Sequence, residues 1–471
     1  MVGDMDDGEL DQMPQNDVSQ IDQIQIEYET RGKGLAHGFQ KDAVQNGAGA
    51  RKNKNMKKAC SSGWAFNFEL VDIEGEKALT FWDEGTTGLT GKILSLEEII
   101  DASEAGELGE NNADERLSRF STRFESGGNL GAGMFGRGKL IFSAASKDKY
   151  LLVDSLREDK KYVAFERKIV KKSLKETSRK KVDQEAERFM LEKTHDVIKP
   201  LKTVGTRVTV LNVKEELSQA FELSFQDKNN INSLYHMISE TWWEIIKLGA
   251  EINLVMKGQV LPVGLTDDLK PLVNAEDGIN GFRVMKKELE VFAIGTMQHR
   301  VKELKLVVSK DPLPKHLRGI LVQRKHMKIC NILESKDIHY KLQKNTFGYL
   351  KLENDLESEL EKVEDPSHYK FGTRTKYVTG IKLFVKSQMD KFASDLGYAG
   401  ESSERKTRNI ANSALKELNE MANTLGLQTG FGNTGKEKKY YSLSIKSFVL
   451  PNQNTKRVEI GQEIGPLEYI L

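Results

Sequence analysis

The segment Ala78-Leu-Thr-Phe-Trp82-Asp83-Glu-Gly85-Thr-Thr-Gly88 starts as a strand and ends as a turn. Its first five residues are mostly apolar and β-prone, and the glycines after Asp83 break the run. A carboxylate at a strand end can accept a hydrogen bond from an exocyclic amine. Gly85 and Gly88 behind it leave room for a flat ring to approach the backbone. Taken alone, the same residues also suit an ordinary turn.

Upstream, Trp64–Ile73 alternates large apolar with smaller or polar residues, and Glu74-Gly75-Glu76 is a turn, so the two strands predict a hairpin. Before it, Leu35, Phe39, Ala43, Asn46 and Ala50 recur at helical spacing between Gly34 and Lys52. Asp42 and Asn46 are four residues apart on that helix and share a face. A carboxylate there can polarise a water, and an amide oxygen can ligate Mg²⁺, a hard cation. A solvated polar face is the plainer reading of the same pair.

Downstream lies Gly127-Gly-Asn-Leu-Gly131-Ala-Gly133-Met-Phe-Gly136-Arg-Gly138-Lys139, running into Leu140-Ile-Phe. Glycines before an apolar helix free backbone N–H groups for phosphate, and Lys139 adds a positive charge. Gly133 to Lys139 fits the spacing of a P-loop, but Leu140 stands where that motif needs a hydroxyl, and no apolar strand precedes it. Gly205-Thr206 opens a further strand, Arg207–Leu211.

The whole chain of 471 residues has room for two or three domains. A net charge of +1 supplies no global field for gathering nucleic acid. Locally, Lys160–Lys181 is basic, which reads as a solvated insertion or edge strand, with a polyanion-binding patch as the sharper alternative. Two cysteines, Cys60 and Cys330, point to a reducing compartment rather than a disulfide scaffold. No apolar run reaches the roughly 18–20 residues of a membrane helix. The acidic start is unlike a leader peptide, so a cytoplasmic location is expected.

An acid-plus-Asn helix, an Asp-x-Gly strand end, a Gly-rich lid and a Gly-Thr strand occur in that order. The series resembles the N-terminal ATP-binding domain of the GHKL superfamily, which includes gyrase, heat-shock chaperones, histidine kinases, MutL and MORC proteins. The resemblance implies an α+β protein: a GHKL (Bergerat) α/β sandwich over residues 31–215, preceded by an acidic strap or disordered segment at 1–30. A second, transducer-like α+β domain is expected over 216–375, with helices to 430 and a β-rich tail at 431–471. It implies ATP and Mg²⁺ as cofactors and a homodimer formed on ATP binding.

Residue by residue, the resemblance makes Asp42 the water-activating acid and Asn46 the magnesium ligand. Asp83 becomes the carboxylate for the adenine amine, with Gly85 and Gly88 beside the ring. Gly131, Gly133, Gly136, Gly138 and Lys139 become the phosphate lid, and Thr206 the support of an adenine-bound water. From the second domain, Lys325, in the bend Gln323-Arg324-Lys325, is the candidate for the terminal phosphate. His326 reads as an ordinary histidine. Asp42 is one methylene shorter than the usual Glu, and Gly49 replaces a common acid or amide. Slow hydrolysis is therefore expected, with a non-hydrolysing ATP-sensing module as the alternative. A histidine kinase is disfavoured, since no phospho-acceptor helix precedes Asp42. The target stays open among DNA, protein and a role in phage defence, with an effector subunit as a further expected partner.

Overall fold

The computed structural model describes residues 10–31, 33–95, 97–98, 101–102, 105, 116–121, 138–170, 173–177, 180–365, 368–372 and 375–398. Gly131, Gly133 and Gly136 lie outside these residues. So do residues 399–430 of the expected helical segment and the whole β-rich tail expected at 431–471.

In chain order the first half contains β1 (Leu10–Asp17), α1 (Val18–Arg31), α2 (Leu35–Ala50), α3 (Met56–Ser61), β2 (Ala65–Ile73) and β3 (Glu76–Glu84). Then come α4 (Arg116–Ser121), α5 (Gly138–Ala145), β4 (Leu151–Leu156), β5 (Tyr162–Val170), β6 (Ser173–Thr177), β7 (Lys181–Val182), α6 (Asp183–Lys193) and β8 (Gly205–Val210). The second half has α7 (Glu215–Gln226), α8 (Leu234–Lys247), β9 (Glu251–Met256), β10 (Gln259–Pro262), α9 (Leu269–Val273), β11 (Phe282–Glu288), β12 (Val291–Ile294) and β13 (Met297–Ser309). It closes with β14 (Gly319–Arg324), β15 (Met327–Leu333), β16 (Thr346–Leu352), α10 (Asn354–Glu361) and α11 (Lys376–Asp395).

The protein is of the mixed α+β class, with two mixed sheets. The first runs β1-β6-β5-β4-β8-β3-β2-β9-β10, with β7 beside β5. Alternation along its strands sends side chains to both faces. On β4, Leu151 and Val153 join the main core, whereas Leu152 packs with Ala186, Phe189 and Met190 of α6 on the opposite face. On the main-core face, α2 lies against α5, α7 and α8, and α1 against α2 and α5. The apolar run Leu140-Ile-Phe is buried there, which is why α5 forms directly after the glycines.

The second sheet runs β11-β13-β16-β14-β15, with β12 beside β13, and its pairs are antiparallel except β14 with β16. Trp242 and Trp243 join the sheets: Trp242 sits in the main core and Trp243 in a second cluster with Val307, Leu321 and Tyr349. Non-helical φ/ψ at Trp242 kinks α8 between them. Trp242 donates its indole N–H to Gln40 Oε1 at 2.9 Å.

The division expected at 215/216 does not follow the hydrogen bonding. β9, expected in the second domain, pairs in parallel with β2, from Ala65 with Glu251 to Leu70 with Met256, and β10 extends the same sheet. The first sheet therefore reaches Pro262. A strand's partner is a long-range fact, and the apolar pattern of Glu251–Met256 does not encode it. In the basic stretch, Lys160 and Lys161 are exposed, as a solvated segment requires, but two of its cations turn inward. Arg167, almost fully buried, donates to Glu176 from Nε at 3.0 Å and Nη2 at 2.5 Å, and Lys180 bonds the same carboxylate.

Candidate functional site

β3 delivers Asp83 to the rim of the first sheet, where three strand ends are tied together. Asp83 Oδ1 accepts hydrogen bonds from the Thr86 hydroxyl at 2.6 Å and the Thr206 backbone N–H at 3.1 Å. Ser155, at the end of β4, donates to the Gly205 carbonyl at 2.8 Å and lies 3.2 Å from the Thr206 hydroxyl. Burial pushes the Asp83 carboxyl up to about 6, and the bonds from Thr86 and Thr206 oppose that only in part.

Helix α2 closes over this rim. A Cβ on Gly47 would stand 2.4 Å from the Phe66 ring and 3.4 Å from Asp83 Cβ, so only a glycine permits so close an approach. Arg51, just past the helix, pairs as an antiparallel bridge with Thr86. Asn46, one residue before Gly47, is exposed. Asp83 and Asn46 are thus brought to the same junction of helix and strand ends, and an exposed amide suits ligation of a hard cation. Among the described residues no group of three or more His, Cys, Asp or Glu could hold a metal by itself.

The glycines of the box are also required by the fold itself. Gly85 and Gly88 have φ of +70° and +69°, which favours glycine. A Cβ at Gly85 would meet Gly63 O at 2.8 Å, and at Gly88 Leu156 O at 2.6 Å. On the side where a Cβ would stand, both glycines pack against the protein's own backbone. Gly138 and Lys139 form the first turn of α5.

Asp42 is buried, one turn before Asn46. Tyr28 of α1 donates its hydroxyl to Asp42 Oδ2 at 2.5 Å, and His368 Nε2 stands 3.7 Å from Oδ1. Burial raises the Asp42 carboxyl above its ordinary value, while His368, Tyr28 and Lys41 pull it down. Lys41 is buried too, and desolvation, reinforced by Lys33, lowers it to about 7.

Lys325 belongs to a cavity of about 420 Å³ between the far half of α2 and the β14–β15 turn. Gln45, Ala48 and Gly49 line it from one side, and Gln323, Lys325 and Lys351 from the other. Asn46 and Asp83 are not among its walls. Lys325 Nζ sits 3.2 Å from Glu361 Oε1, so its charge is already met by a carboxylate. His326 pairs with Glu244 at 3.1 Å. Gln45 and Gln323 are buried, and among the described residues both atoms of each amide lack a hydrogen-bond partner. Buried amides without partners are costly, so the cavity suits a polar guest.

No protein-family model matches the chain, and a search of curated proteins finds no match.

Sequence reasoning missed Tyr28, Thr86, Ser155, Gln323 and His368. Gln323 had a signal in its place beside the candidate Lys325, in the same polar bend Gln323-Arg324-Lys325. His368 had none: it is 326 positions from Asp42 and reaches it only through the tertiary fold.

Proposed function

We propose that the protein is a GHKL-type, ATP-binding conformational switch with slow ATP hydrolysis. The observation that carries this reading is the junction at Asp83: a half-satisfied, buried carboxylate at a strand end, tied to Thr206 and overlaid by the helix bearing Asn46.

In this reading Asp83 accepts the exocyclic amine of the purine, and Thr86 and the Thr206 amide hold its other oxygen in place. Asn46, whose amide is exposed, would hold the metal, and the glycine-freed backbone N–H groups before α5, with Lys139, would bind the phosphates. Bound Mg²⁺-ATP supplies a charge-neutralised terminal phosphoryl group. Asp42 takes the proton from the attacking water. Lys325 reaches the phosphate only after leaving Glu361, which links nucleotide occupancy to the β14–β15 turn. Differential affinity between open and closed states then drives the switch and dimerisation.

Nucleotide binding is tested by isothermal titration with a non-hydrolysable ATP analogue and Mg²⁺. Asp83→Asn should abolish binding, and unchanged affinity in that variant overturns the reading. Asp42→Ala should keep binding and stop phosphate release. Light scattering with and without the analogue tests dimerisation, and turnover with DNA, RNA or unfolded protein tests the target, including a role in phage defence and an effector subunit.

A second reading, an ATP-sensing module without hydrolysis, is favoured by the burial of Asp42 behind Tyr28. Single-turnover phosphate release separates the two. No described helix is long and apolar enough to cross a membrane.

A further inference from the structure

The segment after α10 turns back at Asp365, where the His368 N–H donates to the Asp365 carbonyl at 2.7 Å, and Glu364 bridges to Phe371. This hairpin lies against α1 and α2. Lys41 Nζ donates to the His368 carbonyl at 2.6 Å, and His37 Nδ1 lies 2.7 Å from the Tyr369 hydroxyl. His368 has φ of +57°, a left-handed conformation rare for a side chain of this size. The Lys41 bond holds its carbonyl in place.

Both nitrogens of the buried His368 ring face carboxylates. Nδ1 is hydrogen-bonded to Glu364 Oε1, and Nε2 is 3.7 Å from Asp42 Oδ1. Glu364 in turn accepts from Arg324, through Nε and through Nη2 at 3.0 Å. Arg324 is the last residue of β14, directly before Lys325. A continuous buried chain therefore runs from Asp42 on α2 to the β14–β15 turn that lines the cavity.

We propose that His368, anchored by Glu364 and Arg324, is a positioning residue that keeps the Asp42 carboxylate ionised and oriented. The water-activating acid is then complete only when the hairpin after α10 is docked on α2. This inference rests on the ATP-hydrolysis reading for its role, but the clamp itself stands on the geometry. It also accounts for a short acid in a buried place. The charged and titratable groups facing Asp42 are Tyr28 from α1, Lys41 from α2 and His368 with Tyr369 from the hairpin. Asp365, Glu364 and Arg324 stand behind them. Of these, His368 is the largest influence opposing the burial of Asp42.

The test uses the full chain and two neutral variants, His368→Gln and His368→Phe, so that one failing to fold leaves the other. The first readout is the Asp42 carboxyl titration, followed by NMR with ¹³C-labelled aspartate and assigned by difference against Asp42→Asn. Loss of an opposite charge at this range should move its midpoint upward by about 1–3 pH units. The second readout is phosphate release against pH. Its acidic limb should move upward by the same amount, so that the rate at a pH below the new midpoint falls about ten-fold or more. Affinity for the ATP analogue should stay within about three-fold of wild type, about half of the 1.4 kcal/mol that ten-fold represents. A merely structural role would lower the rate equally at every pH and leave the limb in place. An unmoved Asp42 midpoint in a folded variant overturns the clamp. A moved midpoint in a protein that binds no nucleotide overturns the ATP reading and retains the clamp.

Discussion

The Thr206 amide donates to the Asp83 carboxylate across 3.1 Å, and through that bond the ends of β3 and β8 are locked in one geometry. The two strands are already antiparallel neighbours, from Leu79 with Val210 to Trp82 with Arg207. The side-chain bond continues their pairing beyond the last backbone rung. It spends one oxygen of Asp83 on the fold, and the described residues give the other no hydrogen bond.

Asp83 should make stability depend on pH. Its folded value of about 6 lies above the ordinary carboxyl value, so the folded state binds more protons than the unfolded one between about pH 4 and 6. Stability contributed by this group is therefore lost as pH rises through that window, by up to about 3 kcal/mol. Urea unfolding of wild type and Asp83→Asn at pH 4.5 and 7 should show the difference, with the variant relatively more stable at the higher pH.

Gly205→Ala should be severely destabilising. Its Cβ would fall 1.9 Å from the Asp83 carbonyl oxygen, and backbone cannot yield as a flexible side chain can. Overpacking of this kind costs about 1–3 kcal/mol and here should reach the upper end. Chemical denaturation reads it directly, and a loss of nucleotide affinity should accompany it because Asp83 must shift.

Arg324→Met should cost about 3–5 kcal/mol, because it leaves Glu364 buried with one cationic partner fewer. Burial opposes the Glu364 charge, yet His368 and Arg324 hold it at about 2. The stability it lends is full above the ordinary glutamate value and is lost as pH falls toward 2. The same unfolding series, extended to acid, should show wild type converging on the variant.

Trp242→Phe should lower stability by about 1–3 kcal/mol, since Gln40 Oε1 loses its indole donor inside the core. Gln40 Nε2 keeps its bond to the Thr241 hydroxyl at 3.0 Å, so a Gln40→Leu, Trp242→Phe pair should be less than additive. A double-mutant cycle by denaturation measures the coupling.

Local pattern carried much of the architecture. The hairpin of β2 and β3 follows from alternation and the Glu74-Gly75 turn, and both residues have the positive φ such a turn uses. Helix α2 follows from its apolar spacing, and α5 from an apolar run after glycines. Of the candidate site, that Asp83, Thr206 and α2 act together was expected only through the resemblance, and their contacts, the Thr206 amide on Asp83 and Gly47 against Phe66 and Asp83, came from the fold. The backbone that packs against Gly85 and Gly88 was not legible, because what lies opposite a missing Cβ is decided by distant segments such as Gly63 and Leu156.

Sequence alone determined elements with a strong local pattern, such as the β2–β3 hairpin and α2, because propensity and period are properties of neighbouring residues. It did not determine β1 and α1, which form where a strap or disordered segment was expected and where β1 finds its partner only in the distant β6. Only the tertiary structure decided that β9 belongs with β2, that Arg167 and Lys180 converge on Glu176, and that His368 completes the surroundings of Asp42. Each of these joins groups far apart in the chain, and their energies come from burial and charge pairing that exist only once the sheets have packed.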